Sequence, residues 1–491
     1  MRPFQDAGAG CVGLTASTLP ASRTIRSVIV VGGGLAGLSA ACALADAGYQ
    51  VRLLEKRRYL GGRASSYEHP GTGEVIDNCQ HVLLGNCVNL IDLYQRLGVS
   101  DAIRWFDRLT FIEPGGRRSL LEPSFLPAPF HSMPAFLRAP AFSFSDKLAI
   151  GRGMSAFVAG VPCDSQENFA QWLARHGQPT GAIERFWKPV LVSALNEDPD
   201  RMSVHYAGQV IRKSLLLSPG AGRMGVPTIP LSDLYSRAIE YMEKRGGHVD
   251  LSSAPESLQW SEETQQWTVV ARGESFTSDA VVLALAFEGL SKLLPALPQS
   301  AETEQLAKNL EHFGHSPITG IHLWFDREIT DLEHAILLDA TIQWMFHKSL
   351  LQPEKRRGEP GSYVELVVSA SKSMVEMQRQ EIIDLAVKEL AQFFPLVAQA
   401  KLEKAAVVKE VRATYSIRPQ LDLIRPTAVS PWPRIFLAGD WIATGWPATM
   451  EGAVRSGYMA AEAVSRAAGR PANFVQADLA ASGLMRLLPS A

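Results

Sequence analysis

Four β-branched residues in a row, Val28-Ile29-Val30-Val31, run directly into Gly32-Gly33-Gly34-Leu35-Ala36-Gly37. A helix of small residues and leucine follows at once, Leu38-Ser39-Ala40-Ala41-Cys42-Ala43-Leu44-Ala45. No other feature restricts the chain so much, because strand, glycine turn and helix in this order fit a dinucleotide-binding βαβ unit. Gly32 allows the tight turn, Gly34 lets backbone approach a pyrophosphate, and Gly37 lets the helix lie close on the sheet. The helix N-terminus, at Leu35 and Ala36, offers free N–H groups and a partial positive charge to phosphate oxygens. A glycine-rich turn alone is a weak sign. Here a second strand, Gln50-Val51-Arg52-Leu53-Leu54, ends at Glu55, 18 residues beyond Gly37. A carboxylate there can accept both hydroxyls of an adenosine ribose, which favours FAD or NAD over NADP. The bland alternative is a surface glutamate closing an ordinary strand.

At 491 residues the chain exceeds what one core usually organises, so two interleaved or consecutive domains are expected. Its 48 basic and 50 acidic side chains nearly cancel, which removes the electrostatic basis for binding nucleic acid. Cys11, Cys42, Cys79, Cys87 and Cys163 are odd in number and never spaced as CxxC. Neither a disulfide framework nor a zinc ribbon is supported, and a reducing compartment fits best. His312-Phe313-Gly314-His315 has a ligand-like gap without a supporting acid or thiol, so no metal is expected there. No uncharged apolar run approaches the roughly 18 residues of a membrane span. Residues 1–25 lack a continuous apolar stretch and are expected to form a loose extension, not a signal peptide.

Directly after Glu55 comes Lys56-Arg57-Arg58-Tyr59-Leu60-Gly61-Gly62-Arg63-Ala64. Near the other end, Ile435-Phe436-Leu437-Ala438-Gly439-Asp440 reads as a strand ending in Gly-Asp, followed by Thr449-Met450-Glu451-Gly452-Ala453-Val454-Arg455-Ser456-Gly457. Together these resemble the signatures of FAD-containing amine oxidases and carotenoid or phytoene desaturases. The resemblance implies that Glu55, Lys56, Gly61, Gly62, Arg63 and Ala64 lie along the cofactor. Arg63 would supply a planar cation for phosphate oxygens. Gly439 and Asp440 would engage the ribityl or pyrophosphate portion. The helix beginning near Thr449, Met450 and Glu451, with Ala453, would aim its N–H groups at the flavin edge and stabilise negative charge there. A middle block, from the amphipathic helix opening at Leu231 to Ala280-Val281-Val282-Leu283, returns to the same domain in that superfamily. Pro255 stands where a backbone N–H usually reads the adenine, and proline has none.

Three phrases are similar to a narrower branch, the bacterial squalene-associated FAD-dependent desaturases or hydroxysqualene dehydroxylases. They are Asp77-Asn78-Cys79-Gln80-His81-Val82-Leu83-Leu84-Gly85, Arg412-Ala413-Thr414-Tyr415, and the run from Ala438 to Gly457. The resemblance covers about 26–468 and implies an α/β fold: a Rossmann-type, glutathione-reductase-like FAD domain built from discontinuous segments (26–100, 221–287 and 405–470). An interleaved α+β substrate domain would take 101–220 and 288–404, with a C-terminal tail at 471–491. It further implies reduction of hydroxysqualene to squalene and water in squalene and hopanoid synthesis, with hydride from flavin N5. The same fold run in the opposite direction would be a carotenoid desaturase or another polyprene oxidase. The catalytic candidates are His81, Gln80 and Tyr415. His81 is either a proton donor or a neutral imidazole bonded to flavin or backbone, Gln80 a polar wall, and Tyr415 an approach to the substrate side. Glu365, on the apparent strand Tyr363-Val364-Glu365-Leu366-Val367-Val368, becomes a rival proton donor if it is buried.

Phe125, Phe130, Phe136, Phe142 and Phe144 are interleaved with Pro123, Pro127, Pro129, Pro134 and Pro140. Such a segment excludes a long regular helix. It would line a channel for a C30 isoprenoid, dip into a bilayer surface, or simply be pinned to the core. A hydrocarbon substrate implies a membrane surface as partner and a cytoplasmic protein peripheral on the inner membrane face. The electron donor is left open between NAD(P)H and a separate reductase. Leu479 to Leu488 is expected to form a terminal helix.

Overall fold

The computed structural model describes residues 24–352, 354 and 361–488. Most of the N-terminal extension, Cys11 included, and the last three residues of the tail lie outside them. A five-stranded parallel sheet forms one half of the molecule, in the order His248–Asp250, Gln50–Leu54, Ser27–Val31, Ala280–Leu283, Ile435–Leu437. Its central strands are buried almost throughout, as continuous apolar runs covered on both faces must be. The strands come from three widely separated stretches of chain, and an antiparallel meander (Pro255–Ser261, Gln266–Ala271, Glu274–Ser278) bridges two of them.

Two helices pack against each other beside this sheet, Leu35–Asp46 and Met450–Ala467. Glycine sets their spacing. A Cβ on Gly457 would fall 2.1 Å from both Ala36 O and Ser39 Oγ. Ser39 Oγ in turn donates to Val454 O at 3.0 Å, stitching the first cofactor motif to the last.

The other half is a seven-stranded mixed sheet, in the order Leu402–Tyr415, His315–Phe325, Ser362–Ser369, Trp344–His347, His334–Leu337, Leu109–Ile112, Arg118–Leu121. Strand Leu402–Tyr415 pairs along its length with His315–Phe325, so a domain boundary at 405 cuts through it. Helices from 144–216 cover part of this half. No helix among the described residues is long and apolar enough to cross a membrane.

The C-terminal stretch departs from expectation. In place of a terminal helix, only the short turn Gly483–Leu487 forms. Its backbone is spent on other segments: Ser482 N–H donates to Leu217 O and Leu484 N–H to Ala128 O, leaving no continuous helical ladder.

Candidate functional site

The turn after the first strand is built as a phosphate cradle. No side chain caps helix Leu35–Asp46, and the N–H groups of Leu35, Ala36 and Gly37 have no acceptor among the described residues. Opposite them Gly61 N–H donates to Gly33 O, and a Cβ on Gly62 would lie 2.9 Å from Gly34 Cα. Only a chain bare of side chains on both sides fits so closely. Ala64 N–H closes the Gly61 turn. Glu55 is buried at the end of its strand and accepts Gly33 N–H at 2.6 Å and Arg57 N–H at 2.7 Å, leaving lone pairs on both oxygens. Lys56 is exposed.

Arg63 has partners within the protein that the motif alone did not show. Its guanidinium donates to Asp440 Oδ1 at 2.6 Å and to Ala413 O at 3.0 Å. The pair ties the Gly-Gly-Arg turn to the Gly-Asp motif, so Arg63 and Asp440 brace each other across 377 positions of sequence. Gly439 N–H is held by Ser456 Oγ at 2.8 Å. Thr449 caps helix Met450–Ala467 through Gly452 N–H, while the N–H groups of Met450 and Glu451 have no acceptor among the described residues. Ala453 N–H is taken by Thr449 O. The Glu451 carboxylate is fully buried and accepts Asn89 N–H, Asn89 Nδ2 and Leu90 N–H, capping helix Val88–Leu97. Its side chain is therefore structural, and only its N–H is left unclaimed at the helix start.

Beside the start of that helix lies a cavity of about 260 Å³ with mainly apolar walls. Trp446, Thr449 and Met450 border it from the helix side, Trp344, Phe346 and Val367 from the mixed sheet, and Cys79 and Gln80 from the Asn78–Gly85 phrase. Phe125, Phe136 and Phe142 are not among its walls, so the channel reading of the Phe/Pro segment finds no support. His81 lies beside Gln80, with Nδ1 2.7 Å from Cys79 O, and burial lowers its pKa despite that bond. This geometry suits a neutral imidazole with Nδ1–H donating and is poor for a proton donor. Tyr415 is buried against Arg425 and Phe313, and its hydroxyl has no partner among the described residues. Trp441 is committed to Leu285 O. His315 stacks on Phe287 while His312 is exposed.

Behind Gln80 sits a group that the sequence reading only half found. Lys348 is 1% exposed, with Nζ 2.7 Å from Asp77 Oδ2, 2.9 Å from Gln80 Oε1 and 3.4 Å from Glu365 Oε2. Asp77 also accepts Ser66 Oγ and Leu231 N–H. Burial opposes charge on Asp77, but Lys348 and the bonds from Ser66 and Leu231 together outweigh it and hold the carboxyl below its usual range. One cation cannot balance two carboxylates in a dry site. Burial accordingly pushes Glu365 up to about 7, against the pull of Lys348. Glu365 shares its strand face with Val367, which borders the cavity. Lys348 gave no signal in sequence, because a lysine after a strand is ordinarily a surface residue.

A family model described as flavin-containing amine oxidoreductase matches residues 35–465. The chain belongs to that family. Its cofactor is FAD, and the unclaimed N–H groups at both helix starts, with Glu55 between bare glycines, fit the nucleotide. Among curated relatives of this flavoprotein is the 15-cis-phytoene desaturase of an Oncidium hybrid cultivar, 29% identical over 89% of this chain and 77% of that one. The 15-cis-phytoene desaturase of Synechococcus elongatus is 26% identical over 90% of this chain and 98% of its own length. A solved putrescine oxidase with bound putrescine shares the fold at TM-score 0.68, with 18% identity, 91% of this chain and 99% of that one covered.

The raised Glu365 pKa makes stability depend on pH in a definite direction. The folded flavoprotein keeps this proton to about pH 7, whereas an unfolded glutamate releases it near 4.5. Between those values the folded state binds more protons, so stability falls as pH rises and then levels off. Glu365→Gln removes this slope. At pH 8 the variant is expected to be more stable than the parent by up to about 3 kcal/mol, with no difference at pH 4, in urea titrations at the two pH values.

Proposed function

We propose that the enzyme transfers hydride between FAD and a long apolar isoprenoid held in the cavity beside helix Met450–Ala467. The observation that carries this reading is the cavity itself: mainly apolar walls bordered by the residues that open the second cofactor helix. The unclaimed N–H groups at the two helix starts would hold FAD, which when bound would supply the hydride chemistry. Trp344, Phe346 and Val367 exclude water from the reacting carbon, and Gln80 places one amide at the cavity wall. In this reading the FAD-binding part comprises 26–100, 221–287 and 405–470, with 405–415 shared with the substrate sheet.

The curated relatives support the oxidative direction, desaturation of a carotenoid-type polyprene. A second reading, reductive dehydroxylation of hydroxysqualene, is favoured by the phrase from Asn78 to Gly85 and by Glu365. There the C–O bond breaks, hydride replaces oxygen on carbon, and a proton leaves with the hydroxyl as water. A buried acid that holds its proton to about pH 7, beside Lys348 and on the strand face of the cavity residue Val367, is a source for that proton.

Anaerobic single-turnover mixing separates the two. Reduced enzyme reoxidised by hydroxysqualene, with squalene found by mass, establishes dehydroxylation. Oxidised enzyme bleached by phytoene, with a product two hydrogens lighter, establishes desaturation. Flavin that responds to neither substrate removes the isoprenoid reading altogether.

A further inference from the structure

The Phe/Pro segment splits in two. Phe142 is buried, and Phe136 packs between Phe142 and Phe186. Phe125 turns outward at 97% exposure and Phe144 at 83%, and Phe130, Met133, Leu137 and Leu148 are exposed with them. The turn Gly483–Leu487 adds Leu487 at 80%. These pieces form one face. Leu484 N–H donates to Ala128 O, Ser124 bonds His131 O, and Lys147 Nζ donates to Leu137 O at 2.7 Å. Phe144 and Leu148 are one turn apart on helix Phe144–Ala159 and share its outer side. Single exposed apolar residues are ordinary, but such a concentration of large ones marks an interaction surface.

Charge on this face runs one way. Residues 123–160 contain a single acid, Asp146, and it is buried in the capping box with Ser143. Arg138, Lys147 and Arg152 lie among the exposed apolar side chains, and Arg486 lies in the turn. None of the four forms an ion pair among the described residues. Arg138 donates only to Pro134 O and Arg486 only to Ala481 O. Neighbouring surface cations are paired, as Arg108 is with Glu122 and Lys213 with Asp478.

We infer that this face, residues 125–148 with the turn Gly483–Leu487, docks on an anionic lipid bilayer. Aromatic and aliphatic side chains enter the interfacial region while the unpaired cations meet lipid phosphates. A second copy of the chain fits poorly, because face-to-face pairing would set four uncompensated cations against four more. The turn also hydrogen-bonds Leu217, just after Lys213, Ser214 and Leu215 of the cavity wall. Docking would therefore bring that wall near the lipid. The inference stands on surface chemistry and is independent of which substrate is turned over.

The test is co-sedimentation of the FAD-loaded protein, without substrate, with vesicles of phosphatidylcholine alone or mixed with phosphatidylglycerol. Binding should favour the anionic vesicles at least about tenfold and weaken with salt. F125S/F144S/L487S should lose about tenfold or more in partitioning, with flavin absorbance and melting temperature unchanged. R138E/R152E/R486E should lose the anionic preference alone. Parent protein that stays in the supernatant with both vesicles overturns the inference, as does a serine variant that binds like the parent. So does a solution dimer that the serine variant dissociates. Failure of the isoprenoid reading would leave vesicle binding intact.

Discussion

Gly37→Val abolishes retention of FAD and cooperative folding of the parallel-sheet half. The Cβ it introduces would sit 1.8 Å from Gly32 O and 3.2 Å from Ala284 Cβ. The first of these is backbone of the phosphate turn, which has no rotamer to change. Relief requires the helix Leu35–Asp46 to lift from the strands Ser27–Val31 and Ala280–Leu283. That movement withdraws its unclaimed N–H groups from the nucleotide and opens the packing against Met450–Ala467. Overpacking of this kind usually costs about 1–3 kcal/mol where side chains can yield, and more where backbone must move. The expected result is colourless, aggregated or partly folded protein. Gly151→Ala, in a helix with open space around the added methyl, serves as control and should be neutral or stabilising by roughly 0.5–1 kcal/mol. Absorbance of the purified protein and a thermal melt with added FAD read both variants. A yellow Gly37→Val protein with the parent's melting temperature would show that the helix contact does not set the cofactor site.

Lys348→Met should destabilise by about 3–5 kcal/mol, because it strips the cation from a buried carboxylate. Asp77 would keep Ser66 Oγ and Leu231 N–H but lose the 2.7 Å ammonium contact that holds its pKa down. It would respond by taking a proton, so the variant should recover part of its stability in acid where the parent does not. Adding Asp77→Asn to Lys348→Met should restore a substantial share, since the uncompensated charge is then gone. Urea denaturation of the single and double variants at pH 5 and 8 checks both statements. Equal stability of the two at pH 8 would mean that Lys348 is held by packing and not by the Asp77 charge.

The near ends of the cofactor site were legible in the chain because they are local. A glycine turn between a β-branched strand and a small-residue helix depends on neighbours in sequence, and so does a threonine that caps its own helix. The side-chain contacts of Arg63 and Glu451 were not legible, for the opposite reason. Each side chain is used by a partner more than three hundred positions away, Asp440 in one case and Asn89 in the other. The Phe/Pro segment could be recognised as unusual, yet alternation alone does not tell an inward phenylalanine from an outward one. Phe142 and Phe144 differ by two positions and have opposite fates.

By itself, then, the order of residues determined the nucleotide fold, the kind of cofactor and the two helix starts whose N–H groups are left unclaimed. The fold and the helix starts follow from backbone freedom at glycine and from short-range periodicity, which need no tertiary context, and the choice of FAD over NAD came from the resemblance of the Gly-Gly-Arg and Gly-Asp motifs to a flavoprotein family. Only the folded chain decided what the buried charges do. Asp77, Lys348 and Glu365 become a protonated, charge-balanced group because three distant elements seal them from water together. Desolvation is a property of the assembled interior, and no local run of residues carries it.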